Sequence, residues 1–172
     1  MILSATAKGT PPALRPYLPK DIPILLRIAR ASIEQLAQDE YSPGQIEAWV
    51  ASFDDETAFA ARLAAGLTLV ATVDGLPAGF ALLKGQEDID LLYVAPGVVR
   101  RGVATVLVDA LEKLGAARGA KRLTVKASDV ARPFFSQRGY EPESRNTVPL
   151  GDEWLGHTIM TKALDQTPST AH

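Results

Sequence analysis

The chain has 172 residues, 47% of them hydrophobic and 22% charged, and a formal net charge of −2. This composition is that of an ordinary globular protein, and the length suits one domain that buries roughly 70% of its unfolded surface. It excludes disulfides, thiolate metal sites and a cysteine nucleophile, because no cysteine is present, and the small net charge argues against bulk nucleic-acid binding.

The amino-terminal part of the chain predicts a loose segment, an edge strand and a helix. Residues 1–12 have no apolar periodicity and are expected to form a flexible lead-in. Residues 13–18 predict a strand, and Pro16 places it at a sheet edge because proline lacks the N–H that a central strand needs. Asp21 is expected to cap a helix that ends near Gln38.

Two further helices are predicted from the signals at their starts. Ser42, followed three residues later by Gln45, forms a capping box for the second helix. Asp54 or Asp55 is expected to open the third helix, and Gly66 is placed to end it.

The central part of the chain predicts three antiparallel strands and a long helix. Residues 67–73 and 78–84 are strand-like and are joined through Asp74-Gly75, a strong hairpin signal. Residues 89–94 are expected to form the next strand. Helical spacing of apolar residues then runs from Val103 to Leu114.

The remaining residues predict a return to the sheet. Residues 122–126 are expected to form a strand parallel to the one at 89–94, because a helix crosses between them. Ser128 is expected to cap a short helix that Gly139 ends. Residues 140–148 and 155–164 are expected to form two last strands, and residues 165–172 a polar tail.

Together these elements predict a mixed α/β sheet of six or seven strands with helices on both faces, forming one domain over residues 13–164. No apolar run approaches the ~18 residues that cross a bilayer. Residues 1–12 lack the basic and apolar regions of a signal peptide, so a cytoplasmic location is expected.

The segment between the strand at 89–94 and the long helix has the character of an anion site. It reads Arg100-Arg101-Gly102-Val103-Ala104, in which small residues leave the first N–H groups of the helix uncovered beside two cations. Neither of the two common phosphate-binding loops is present. The Walker loop needs Lys-Ser/Thr after its second glycine, but this pair does not follow Gly97-x4-Gly102. The dinucleotide-binding motif G-x-G-x-x-G is absent.

Two motifs resemble those of the GNAT superfamily of acyl-CoA N-acyltransferases. Residues 99–104, V-R-R-G-V-A, are similar to its Q/R-x-x-G-x-G/A signature, with Val99 in place of the usual Gln or Arg. Residues 128–140 are similar to its N-x-x-A-x-x-F-Y-x-x-x-G-F signature. The order of elements over residues 13–164 also resembles that family, which implies a mostly antiparallel sheet whose parallel central pair splays to admit coenzyme A.

The resemblance implies an N-acetyltransferase that passes an acetyl group from acetyl-CoA directly to a primary amine. The diphosphate of the cofactor would lie on the loop amides and the pantetheine arm along the strand before the loop. Phe135 stands where the family usually has a proton-donating tyrosine, so the usual acid is missing. The residues implied to contact coenzyme A are Leu92, Tyr93, Val94, Val99, Arg100, Arg101, Gly102, Val103, Ala104, Thr105, Ser128 and Phe135.

Three residues are candidates for catalytic proton transfer. Asp88 and Asp90 alternate with apolar residues on one strand and so share a face, and the resemblance places Asp88 nearest the usual glutamate base. A solvated strand end is the alternative for both carboxylates. Tyr41 comes from the region that walls the acceptor pocket in the family, with core packing as its alternative. His157 is expected to be a satisfied, partly buried histidine.

The acceptor stays open among a small amine, an amino acid and a peptide amino terminus. Residues 31–55 and 145–157, which should shape its pocket, are neither strongly acidic nor strongly basic. Because of Phe135, a noncatalytic acyl-CoA-binding module is the alternative function. No metal, nucleic-acid or membrane partner is expected, and the formation of a homodimer is left open. Both tryptophans, Trp49 and Trp154, are expected to pack in the core.

Overall fold

The computed structural model describes residues 11–165. The strands are β1 Ala13–Pro16, β2 Leu67–Val73, β3 Leu76–Lys84, β4 Asp88–Val94, β5 Arg122–Ser128, β6 Glu141–Leu150 and β7 Glu153–Ala163. The helices are α1 Ile22–Leu36, α2 Pro43–Ala51, α3 Glu56–Ala64, α4 Val103–Ala117 and α5 Arg132–Gln137, with 3-10 turns at Pro19–Asp21 and Pro96–Val98.

The strands form one seven-stranded sheet in the order β1-β2-β3-β4-β5-β7-β6. Every neighbouring pair is antiparallel except β4 and β5, which are parallel. This confirms the predicted mixed sheet, with β1 and its Pro16 at an edge. Of the predicted lead-in and tail, all but residues 11, 12 and 165 lie outside the described residues. Within the described part of the chain, no helix is long and apolar enough to cross a membrane.

Helices cover both faces of the sheet because each carries one apolar side. On one face Leu107 and Leu111 of α4 pack with Leu123 of β5 in a fully buried cluster. On the other face Leu25 of α1 packs with Phe80 of β3 in a second cluster, to which α3 also contributes. The sheet is therefore buried on both sides at β2 and β3, whereas β5 is buried only on the α4 side.

Two predicted helix starts have the expected hydrogen bonds. Ser42 Oγ accepts from the Gln45 N–H at 3.1 Å, and Gln45 Oε1 accepts from the Ser42 N–H at 2.9 Å, which completes the capping box of α2. Asp55 Oδ1 accepts from the Ala58 N–H at 2.9 Å at the start of α3. These local signals position α2 and α3 as the sequence predicted.

Asp21 directly precedes α1 as predicted, but its side chain does not cap the helix. Its carboxylate makes no hydrogen bond to α1 and instead accepts from both terminal nitrogens of Arg15, at 2.7 and 2.9 Å, and from the Leu18 N–H. Asp21 is buried, and a buried carboxylate needs a charged, hydrogen-bonded partner. Its bond to Arg15 lowers the pKa of this carboxyl group.

Two expectations about the carboxyl-terminal part are also wrong. The α5 helix begins at Arg132, four residues after Ser128, whose Oγ accepts from the Ala131 N–H at 3.2 Å within the preceding turn. Trp154 is 61% exposed and not in the core. It pairs with Pro149 of the outer strand β6, where residues 141–149 are all exposed, so nothing encloses the ring.

Candidate active site

The start of α4 has open space around its first amide groups. Gly102 precedes the helix with a φ of 83° and has no side chain that could cap it. A Cβ built on Gly102 would meet no heavy atom within 4 Å. Because an α-helix leaves its first N–H groups without partners of its own, this end of α4 can bind an anion.

Two arginines add positive charge at the same end of the helix. Arg100 and Arg101 are exposed, and neither forms an ion pair with any residue between 11 and 165. Arg100 has a φ of 66°, a left-handed conformation that non-glycine residues rarely adopt. Such conformations are frequent in ligand-binding loops, where the surrounding structure maintains them.

Gly79 of β3 determines how closely α4 approaches the sheet. A Cβ at this position would lie 2.7 Å from Val103 Cγ1 and 2.9 Å from the Tyr93 carbonyl oxygen. Only glycine therefore lets the first residue of α4 pack directly on β3, opposite Val94. This contact places the free amides beside the end of β4.

The parallel strands β4 and β5 separate after two residue pairs, as predicted. Only Asp88 with Thr124 and Ile89 with Val125 are paired. Beyond them, residues 92–94 of β4 pair with β3 alone, so one edge of their backbone is free. A cavity of about 140 Å³, here called the inner cavity, lies between the separated strands, and Phe135 and Ser128 contribute to its wall.

A β-bulge occurs in β4 at the point where the strands separate. Leu91 pairs with Leu82 and Ile89 with Leu83, so Asp90 has no partner on β3. As a result Ile89 packs in the α4 cluster and Leu91 in the α1 cluster, on opposite faces of the sheet. Bulges of this kind redirect side chains and are frequent beside active sites.

A second cavity, here called the front cavity, opens on the α1–α3 side of the sheet and has a volume of about 420 Å³. Three kinds of group line it: charged and polar side chains of the sheet, aromatic side chains, and apolar side chains of the β6–β7 hairpin. The aromatic group comprises Tyr41, Trp49, Phe53 and Tyr93, and the hairpin group includes Val148, Leu150 and Leu155.

Asp88 and Asp90 both line the front cavity, so they share a face as the sequence predicted. Alternation holds from Asp88 to Asp90, and the bulge then turns Leu91 to the same face as Asp90. Asp90 accepts two hydrogen bonds from Arg62 of α3, at 2.7 and 3.0 Å, which raise the pKa of that arginine. Asp88 is exposed and forms no ion pair with a described residue.

Tyr41 lines the same cavity, but its hydroxyl group already forms two hydrogen bonds with the backbone. The hydroxyl donates to the Gly156 carbonyl oxygen and accepts from the Asp129 N–H, both at 2.9 Å. Burial raises the pKa of Tyr41. These bonds tie the segment between α1 and α2 to β7 and to the end of β5, which fixes one wall of the cavity.

Tyr93 and Trp49 lie between the two cavities and line both. The Tyr93 hydroxyl accepts from Trp49 Nε1 at 3.1 Å, and burial raises its pKa to about 12. No residue within 11–165 accepts the proton of this hydroxyl. Tyr93 is therefore a protonated hydroxyl group that can donate a hydrogen bond into the site.

His157 of β7 lines the front cavity opposite Ser128 of β5. Burial lowers the pKa of its imidazole, and the charges of Lys126 and Arg145 lower it further. His157 is thus neutral at pH 7 and able to accept a proton. The sequence-based expectation that it is partly buried holds, but no described residue forms a hydrogen bond with its imidazole.

Comparison with known proteins decides the family. Residues 37–164 match the family model described as Acetyltransferase (GNAT) domain. The chain belongs to the GNAT acetyltransferase family. This GNAT protein is an acyltransferase, and the resemblance to that family is confirmed.

Individual relatives agree with this assignment. The GNAT chain is 33% identical to the uncharacterized N-acetyltransferase YafP of Escherichia coli (strain K12), over 86% of its length and 93% of that protein. It is 57% identical to a GCN5-related N-acetyltransferase of Rhodopseudomonas palustris, with a TM-score of 0.89 over 91% of this chain and 98% of that one. PaiA N-acetyltransferase of Thermoplasma acidophilum, in complex with coenzyme A, has the same fold at 19% identity, with a TM-score of 0.74 over 90% and 99%.

Several residues of the site were missed by the sequence-based reasoning. Arg62, Lys84 and Lys126 line the front cavity, and so does the Phe53 ring. Alternation along β5 could have identified Lys126, because Thr124 and Ser128 on the same face also line the cavity. No sequence pattern could have joined Arg62 to Asp90, since they come from elements that meet only in the folded sheet.

Proposed function

We propose that the protein transfers an acetyl group from acetyl-CoA to a primary amine in a ternary complex. The observation that carries this proposal is the set of unblocked amides at the start of α4, beside two free arginines and next to the separated strands. The diphosphate of the cofactor lies on residues 102–105 between Arg100 and Arg101, where charge-assisted hydrogen bonds are strong. Its pantetheine arm follows the free edge of residues 92–94 toward the bulge.

The remaining cofactor contacts follow from the same placement. Val99 supplies backbone but no polar side chain, and Ser128 and Phe135 border the inner cavity where the thioester arrives. The relative PaiA, solved in complex with coenzyme A, supports this cofactor. Direct attack by the amine is favoured over an acyl-enzyme intermediate, because the chain has no cysteine to form a thioester.

The base that removes the proton of the amine is one of the groups in the front cavity. Asp88 is free of ion pairs and is the first candidate, and neutral His157 is the second. Asp90 is the weaker choice, because Arg62 binds both of its oxygens. Tyr41 already donates its proton to Gly156, so a positioning role suits it better than that of an acid.

The departing thiolate needs a proton that Phe135 cannot supply. Two hydroxyl groups line both cavities, those of Tyr93 and Ser128. Burial keeps Tyr93 protonated, and no described residue accepts a hydrogen bond from its hydroxyl group, so this O–H can donate to the sulfur. We assign the proton donation to Tyr93, with Ser128 as the second candidate. The Tyr93→Phe and Ser128→Ala variants distinguish the two in an assay of thiol release.

The experiment that tests the function measures thiol release from acetyl-CoA in the presence of a panel of amines. Release that depends on the amine supports the transferase. Tight coenzyme A binding without amine-dependent release would favour the noncatalytic module that Phe135 suggests. A cytoplasmic location and a homodimer stay predictions, which cell fractionation and light scattering test.

The assignment of the base has its own test. Asp88→Asn should lower kcat at least tenfold and leave coenzyme A affinity unchanged, because Asp88 lies at the opposite end of β4 from the start of α4. Asp74→Asn, in the β2–β3 turn, is the matched control: it removes the same charge far from the site, and asparagine tolerates the φ of 53° there. Equal activity of Asp88→Asn and Asp74→Asn would assign the base to His157.

A further inference from the structure

The front cavity has more cationic than anionic side chains. Three cations, Arg62, Lys84 and Lys126, face two carboxylates, Asp88 and Asp90. Arg62 and Asp90 neutralise each other through two hydrogen bonds. Among residues 11–165 neither lysine has an ion-pair partner, so two unpaired cations and one unpaired carboxylate remain.

The unpaired charges lie at defined places on the sheet. Asp88 pairs with Lys84 on β3 and with Thr124 on β5. Lys126 lies two residues beyond Thr124, about 7 Å further along β5, toward the separated end of the strands. Its neighbour across the strands is Ile159, and His157 follows. The effect of Lys126 on the pKa of His157 shows that its charge acts within the cavity.

Opposite these charges the cavity is aromatic. The Trp49 ring lies 5.4 Å from the Tyr41 ring and 6.5 Å from the Tyr93 ring, and the Phe53 ring lies 5.6 Å from that of Tyr93. Aromatic walls bind apolar groups through large buried areas. An occupant therefore meets a carboxylate, an ammonium group and an apolar surface in one cavity.

From this arrangement we infer that the acceptor is a small amino acid-like amine with an apolar side chain, which carries a carboxylate that Lys126 binds. Its amine lies near Asp88, its carboxylate at Lys126 and its apolar group on the aromatic wall. A polyamine would place a second cation against unpaired lysines, and such contacts are repulsive. The inference rests on the proposed function, because it concerns the acceptor of the same reaction.

The test compares amines that differ only in the carboxylate. Phenylalanine is paired with phenethylamine and leucine with isoamylamine, and kcat/KM is measured for each with acetyl-CoA. The carboxylated member of each pair should be preferred, and Lys126→Gln should lower that preference roughly 10- to 100-fold, as expected for a lost bond to a charged group. Lys121→Gln, just before β5 and outside the cavity, should keep both the activity and the preference.

The outcomes separate the two proposals. Turnover of phenethylamine or isoamylamine at the rate of its carboxylated partner, or an unchanged preference in Lys126→Gln, would overturn the inference and leave the transferase intact. Absence of thiol release with every amine would overturn the function. Calorimetry with protein saturated with coenzyme A then tests the inference by itself. Phenylalanine should bind to this complex, and its affinity should be lower in the Lys126→Gln variant. Failure of phenylalanine to bind would refute the inference.

Discussion

Replacement of Gly102 by glutamate should weaken coenzyme A binding while the fold persists. In the folded chain a Cβ at Gly102 meets no atom within 4 Å, so no side chain has to move. The cost to stability comes from the φ of 83°, which disfavours an L-residue by about 1–2 kcal/mol. For a domain of this size such a loss lowers Tm by roughly 2–8 °C.

The effect on the cofactor has a separate, electrostatic cause. The new carboxylate would lie at the free amides, where it competes for their hydrogen bonds and repels the diphosphate. Two unit charges 4 Å apart repel by about 1 kcal/mol in water and about 4 kcal/mol near a protein surface. The dissociation constant should therefore rise by a factor between about 5 and about 1,000, as isothermal titration calorimetry with coenzyme A would show.

Gly119 offers the matched control. It lies beyond the opposite end of α4 with a φ of 91°, and a Cβ there also meets nothing within 4 Å. Gly119→Glu should thus lower Tm about as much as Gly102→Glu and leave the affinity for coenzyme A unchanged. Wild-type affinity in a folded Gly102→Glu protein, or an equal loss in both variants, would refute the assignment of the diphosphate to this helix start.

Three further results are expected. Gly79→Val should destabilise the protein by about 1–3 kcal/mol in urea unfolding and weaken coenzyme A binding, because the new side chain pushes α4 from β3; an unaltered midpoint would contradict this packing. Tyr41→Phe should cost about 1–3 kcal/mol of stability, since Gly156 and Asp129 lose a buried partner; calorimetric Tm values measure it. Because the pKa of His157 is lower in the folded chain than its usual 6.5, the unfolded chain binds the proton first, and stability should fall as pH falls below 6.5. His157→Gln should lose this part of the pH dependence.

The parts of the fold that could be predicted depend on residues close together in the chain. The capping box at Ser42, the cap at Asp55 and the turn at Asp74-Gly75 each need only three or four residues. The loop at Gly102 is equally local. The helix start at Asp21 was predicted correctly, but the partner of its carboxylate was not, because Arg15 comes from the edge strand.

The chemistry of the site depends on contacts between distant residues, which explains why less of it could be predicted. The bulge at Asp90 exists only in the register between β3 and β4, and it decides which side chains reach the front cavity. Arg62 lies 28 residues before Asp90 in the chain, and Tyr41 lies 115 residues before Gly156. Such pairs have no spacing rule, so the sequence indicates the carboxylates but not their partners.

The two halves of the site are built differently, and this difference bears on how the acceptor is chosen. The proposed cofactor side consists mainly of backbone: the amides at Gly102 and the free edge of residues 92–94. Backbone groups survive substitution, so the loss of a polar side chain at Val99 leaves the proposed contacts of the loop in place. The front cavity consists of side chains from helices, strands and a hairpin, so a substitution at Phe53, which lines the front cavity and not the inner one, can change the acceptor without weakening coenzyme A. The identity of the amine must therefore be sought in the side chains of the front cavity.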